Sequence, residues 1–139
     1  MKTLTRSDVA VGDELPAVDV PVTATLIVAG AIASRDYQDV HHDREVAKQR
    51  GVKDIFMNIL TTNGIVGRYV TDWSGPEAIL RGVSIRLGAP NYAGDTMHLE
   101  GRVAAIEAED IVVEVRGTNA IGEHVSGTVR LRLPAGGTS

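Results

Sequence analysis

At 139 residues with a formal charge of −4, the chain suits a single domain that buries roughly two thirds of its unfolded surface. The acidic balance argues against a protein that holds nucleic acid through its overall field, and the absence of cysteine excludes disulfides, zinc–thiolate sites and thiol nucleophiles and fits a reducing cytoplasm. The N-terminus has no apolar core of signal-peptide length, and the longest apolar stretch, Leu26 to Ala33, is too short to span a bilayer, so no membrane segment and a cytoplasmic location are expected.

In chain order, Gly12-Asp13 and Pro16 read as a turn leading into a strand at Ala17 to Val22, with Val18, Val20 and Val22 alternating. Pro21 makes it an edge or terminating strand. Thr23 or Thr25 can cap a helix to about Ser34 whose apolar face would use Leu26, Ile27, Ala31 and Ile32. A polar loop follows, and a short helix from Arg44 ends at Gly51. The longest helix is expected from Phe56 to Trp73, with Ile59, Leu60, Val66, Tyr69, Val70 and Trp73 on one stripe. Gly64 and Gly67 inside it point to close packing against a sheet, since each costs about 1 kcal/mol relative to Ala. Ser74-Gly75-Pro76 closes the helix. Ile79 to Leu87, Thr96 to Glu107, Ile111 to Ala120 and Glu123 to Leu133 all alternate with period two, and their short connectors suit hairpins. A strand, helices and then a run of long strands imply an α+β domain over residues 1–139, one curved antiparallel sheet wrapped on the long helix, with a flexible tail from about 134.

The loop Ser34-Arg35-Asp36-Tyr37-Gln38-Asp39-Val40-His41-His42-Asp43-Arg44 concentrates titratable chemistry. Asp36 and His41 are five apart, a spacing that lets a carboxylate and an imidazole converge on one water and perform general acid–base work near neutral pH. Read without other context, the same residues are a solvated loop in which Asp43 is an ordinary helix N-cap. Adjacent His41 and His42 diverge, and no HExxH pattern completes a metal site. His98 and His124 fall in alternating strands and read as surface or cross-strand partners. Arg81, Arg86, Arg102, Arg116, Arg130 and Arg132 read as solvated strand-face residues, and Trp73 as core or interface.

The order of elements together with this loop resembles the MaoC-like, R-specific enoyl-thioester hydratases and dehydratases, which have the hot-dog fold. The family motif of Asp, any residue, Asn, Pro, an apolar residue, His, any residue and Asp stands here as Asp36-Tyr37-Gln38-Asp39-Val40-His41-His42-Asp43, with Gln38 and Asp39 in place of Asn and Pro. The family opens its central helix with an apolar-His-Gly-Met type sequence, and Phe56-Met57-Asn58-Ile59 puts Asn58 at the Gly. The stretches Asp54 to Leu60 and Tyr69 to Pro76 are similar to the small subunits of actinobacterial two-subunit hydratases of steroid side-chain degradation, and next to mycobacterial fatty-acid-synthase dehydratases.

The resemblance implies a hydro-lyase with Asp36 and His41 as catalytic residues and the Asn58 backbone N–H in an oxyanion hole. Asp39 is a rival to Asp36. It implies a CoA thioester as substrate, no separate cofactor and no metal, and a homodimer or a heteromer with a second hot-dog subunit. The departures at Gln38, Asp39 and Asn58 point to a bulky, ring-bearing acyl group. Alternatives are a dehydratase of acyl-carrier-protein thioesters, a hot-dog thioesterase, and a non-catalytic acyl-binding subunit.

Overall fold

The computed structural model describes residues 1–136. Strand β1 (Glu14–Pro21) leads into helix α1 (Ala24–Ala33), a 3-10 turn at Asp39–His41, helix α2 (Arg44–Gln49) and helix α3 (Ile59–Ser74). Strands β2 (Ile79–Leu87), β3 (Thr96–Glu107), β4 (Asp110–Thr118) and β5 (Glu123–Arg132) follow. The five strands form one antiparallel sheet in the order β1-β3-β4-β5-β2. Pro21 therefore lies on an edge strand, where its missing N–H breaks no ladder. β1 starts earlier than its alternation predicts, because a register shift between Leu15 and Val18 interrupts the period-two pattern.

Alternate residues of the sheet face α3. Met97, Leu99, Val103, Ile111, Val113, Val125, Val129 and Leu131 are buried in one cluster with Val66, Tyr69 and Val70 of the helix and Ile27 of α1. Each such aliphatic side chain contributes about 1.5–3 kcal/mol. This is the α+β arrangement of a sheet around a central helix.

Two expectations about the helices are corrected. Ile32, Ile59 and Leu60, placed on apolar faces by their spacing, are 57%, 50% and 52% exposed: α1 buries Ile27 and Ala31 instead, and α3 begins only at Ile59, after the Asn58 cap, with Thr62 as the buried residue of its first turn. The glycines of α3 are not sites of forced close approach: a side chain at Gly64 meets open space and one at Gly67 makes ordinary contact with Leu80 and Val83. The close approach is at Gly30 of α1, where an added methyl would collide with the Thr61 side chain. Gly75, at φ 94°, ends α3. Of the expected tail, residues 137–139 lie outside the described residues, while Pro134 accepts a hydrogen bond from the Arg6 N–H at 3.0 Å.

Candidate active site

Asp36 is delivered by the way α1 ends. The Asp36 N–H donates to Ala31 O at 2.9 Å and the Arg35 N–H to Ile32 O at 3.0 Å, which is the paired bonding of a Schellman motif. That motif needs a left-handed residue, and Arg35 occupies it at φ 56°, a conformation costing an L-residue about 1–2 kcal/mol. The chain reverses there and turns the Asp36 side chain toward the start of α3.

His41 comes from the following 3-10 turn and is 5% exposed. Its Nδ1 donates to the Phe56 carbonyl oxygen at 2.7 Å; a carbonyl can only accept, so the neutral ring carries its proton on Nδ1 and presents the Nε2 lone pair. Nε2 lies 3.3 Å from Asp36 Oδ2. Phe56 also packs edge-on against the ring at 5.0 Å between centroids, so hydrogen bond and packing fix one orientation.

Asn58 is the N-cap of α3 and is 2% exposed. Its Oδ1 accepts from the Thr61 N–H at 3.0 Å and from Thr61 Oγ1 at 2.5 Å, and its Nδ2 donates to Ser34 Oγ at 2.9 Å and to Asp36 Oδ2 at 3.1 Å. The Asn58 amide donor holds the Asp36 carboxyl below its usual value against the opposing effect of burial, helped by the Gln38 N–H and by His41. The Asn58 main-chain N–H is taken by no backbone carbonyl among the described residues.

These residues line a cleft of about 360 Å³, walled on one side by Phe56, Met57 and Ile59 and on the other by Leu87, Gly88, Ala89 and Pro90. Asp36, His41 and Asn58 thus share one cleft with a carboxylate, an imidazole lone pair and a helix N-terminus, where the dipole favours negative charge. A larger hollow of about 960 Å³ lies over β1, β3, β4 and β5 and holds none of them.

The remaining candidates sort differently. Asp39 is outside the cleft, 3.4 Å from Arg50 on the surface. His42 is exposed, 3.3 Å from Tyr37 O. His98 is a cross-strand partner of Asp19 at 2.6 Å. Asp43 caps α2 by accepting from the Glu45 and Val46 N–H groups. Arg102, Arg116, Arg130 and Arg132 pair with acidic neighbours on the sheet, and Trp73 is packed against the core. Among the described residues no three His, Cys, Asp or Glu side chains gather as a metal ligand set, and no helix is long and apolar enough to cross a membrane.

His124 corrects its strand-based reading. Gly117 pairs with Val125 but Thr118 with Glu123, so His124 is the extra residue of a bulge, and the bulge turns it inward to 1% exposure. Nδ1 donates to Ala89 O at 2.6 Å and Nε2 accepts from Thr62 Oγ1 at 2.9 Å. It lines the cleft and ties the Gly88–Pro90 wall to α3. Ser34, Thr61 and Thr62 escaped the sequence reading because isolated Ser and Thr on helices carry no pattern that points to a site.

The family model for the MaoC-like domain matches residues 7–124. The chain is 50% identical over 123 residues to the 3-oxo-4,17-pregnadiene-20-carboxyl-CoA hydratase beta subunit of Mycobacterium tuberculosis, which spans 88% of this chain and 95% of that one. A chain in the crystal structure of the ChsH1-ChsH2 complex of Mycobacterium tuberculosis superposes with a TM-score of 0.87 at 49% identity, over 89% of this chain and 98% of that chain. The unliganded R-hydratase PhaJ1 of Pseudomonas aeruginosa has the same fold, with a TM-score of 0.88 at 19% identity over 96% of this chain and 88% of that one. With the domain model covering most of its length and a half-identical relative aligned almost end to end, the chain belongs to the MaoC-like domain family.

Proposed function

We propose that the chain, as one hot-dog domain, is the motif-bearing subunit of an enoyl-CoA hydratase that adds water to an α,β-unsaturated acyl-CoA carrying a bulky, steroid-type ring system. The observation that carries the reading is the convergence of the Asp36 carboxylate and the His41 Nε2 lone pair, 3.3 Å apart, at one cleft. Both are acceptors, so a water between them donates one hydrogen to each and turns a lone pair toward the substrate. In the reaction an O–H bond of that water breaks as its oxygen bonds the β-carbon and the C=C π pair shifts toward the thioester carbonyl; the Asp36–His41 pair takes up the proton and returns it to the α-carbon as the carbonyl reforms. Negative charge builds on the thioester oxygen in between. The Asn58 main-chain N–H at the start of α3 is the proposed donor to it.

The proposed chemistry consists of proton transfers and one C–O bond, and uses no cofactor beyond the CoA of the substrate itself. The substrate class is supported by the carboxyl-CoA named for the half-identical relative, which is a beta subunit; a second hot-dog subunit is accordingly the proposed partner. Lack of cysteine supports a cytoplasmic place of action.

The test is hydration of a short linear and a polycyclic enoyl-CoA by the chain alone and with a candidate second hot-dog subunit. We expect weak hydration of the linear thioester and a higher kcat/KM on the polycyclic one with the partner present. Preference of the chain alone for the linear substrate would overturn the steroid-type reading, and no hydration under any condition would overturn the activity.

A further inference from the structure

We propose that the Asn58 side chain is a positioning residue for the hydration reaction, a fixed carboxamide that holds the Asp36 carboxylate in its working orientation through a relay with Ser34 and Thr61. The inference rests on the hydratase reading of Asp36 and His41, and it concerns the side chain of Asn58, separately from the main-chain N–H.

The direction of the relay follows from donor and acceptor chemistry. The Thr61 backbone N–H can only donate, so the carboxamide atom 3.0 Å from it is the oxygen, and the nitrogen must face Ser34 and Asp36. Ser34 Oγ donates to Gly30 O at 2.7 Å, which leaves its lone pair to accept from Asn58. Both Nδ2 hydrogens and both Oδ1 lone pairs are therefore used, in a side chain 2% exposed. The group cannot rotate without breaking several bonds at once, and it sits between α1, which leads into Asp36, and α3, which it caps. Asp36 Oδ2, the oxygen that Asn58 holds, is also the one facing His41 Nε2. A glycine, which the family resemblance puts at this position, could supply none of these bonds.

The groups meeting Asp36 are His41 from the 3-10 turn, the uncharged Asn58 from the cap of α3 and the Gln38 N–H from the loop. His41 is the titratable one among them. Removing the Asn58 donor therefore raises the acidity limb of the pH profile without adding or deleting a charge.

The experiment compares wild type, Asn58→Ser and Asn58→Asp as full-length chains with the partner subunit. Serine and aspartate both keep an oxygen able to cap α3 and keep the main-chain N–H, but the aspartate carboxylate has no donor, and the serine hydroxyl, one atom closer to the backbone than the carboxamide nitrogen, does not span to Asp36. We expect kcat to fall by up to about 100-fold in Asn58→Ser, the scale of a reacting group misplaced by an ångström, with KM little changed and the acid limb of kcat moved to higher pH. Asn58→Asp should move the limb further, since it sets a second carboxylate against the first. A wild-type kcat and acid limb in folded Asn58→Ser would overturn the proposal while loss of activity in Asp36→Asn left the hydratase reading standing. Absence of hydration by the wild-type complex would overturn both. A variant-free check is carbon-13 NMR titration of Asp36 in the wild-type protein, expected below the usual aspartate range; titration at or above that range would overturn the proposal even if the variants failed to fold.

Discussion

His41 Nδ1 donates to the main-chain oxygen of Phe56 at 2.7 Å, and this one bond decides which nitrogen of the ring faces Asp36. The bond links the Asp36–His41 loop to the segment that enters α3, so the geometry of the cleft and the start of the central helix are set together.

His41→Ala is expected to lower kcat by about two to four powers of ten, the usual worth of a general acid–base catalyst, with an unchanged circular dichroism spectrum. His42→Ala, at an exposed ring outside the cleft, should stay near wild type. Equal activities in the two variants would refute the assignment of His41.

Asp36→Asn keeps the shape of the side chain but can neither take a proton nor stabilise an imidazolium, so a loss of about two to four powers of ten is expected. Asp39→Asn removes only a surface partner of Arg50 and should cost little. Steady-state hydration rates rank the pair, and the reverse order would place the motif on the wrong carboxylate.

Burial pushes the His124 pKa down, against a smaller opposite effect from its bond to Ala89 O. The unfolded chain then binds a proton on this residue more readily than the folded one, so its contribution to stability is full above the ordinary histidine value, about 6.5, and is lost as pH falls below it. The melting temperature should drop between about pH 7 and about pH 5, and the drop should shrink in His124→Gln. The window lies above the range where Asp36 and Asp54, both lowered, lose theirs. An identical pH dependence in variant and wild type would refute this.

Gly30→Ala and Gly64→Ala should have opposite signs. The first drives a methyl into Thr61 and should cost about 1–3 kcal/mol, as overpacking does; the second fills open space and should stabilise by about 0.5–1 kcal/mol through helix propensity. Urea denaturation of each variant measures both, and Gly30→Ala should also lower hydration because Thr61 holds the Asn58 carboxamide.

β2 is an edge strand of the sheet with Ile79 and Leu80 exposed. An unpaired apolar edge favours association, so light scattering should show a dimer or a complex with the partner subunit, and Leu80→Lys should weaken it. A stable wild-type monomer in the presence of the partner would contradict the two-subunit reading.

What lies within one segment is legible in the order of residues alone. Period-two alternation located β2 to β5 to within a few residues, because each strand buries one face, and the spacing from Asp36 to His41 carried the family motif, because both residues sit on one short loop. Thr23, Asp43 and Gly51 marked helix ends through local hydrogen bonding and backbone conformation. Contacts between residues distant in the chain emerge from packing. The bond from Asn58 to Asp36 spans 22 positions and that from Thr62 to His124 spans 62, and neither leaves a local pattern. His124 faces inward because a bulge breaks the alternation that put it outside, and Gly30 rather than Gly64 is the point of contact because helix packing, not helix propensity, sets where a methyl fits.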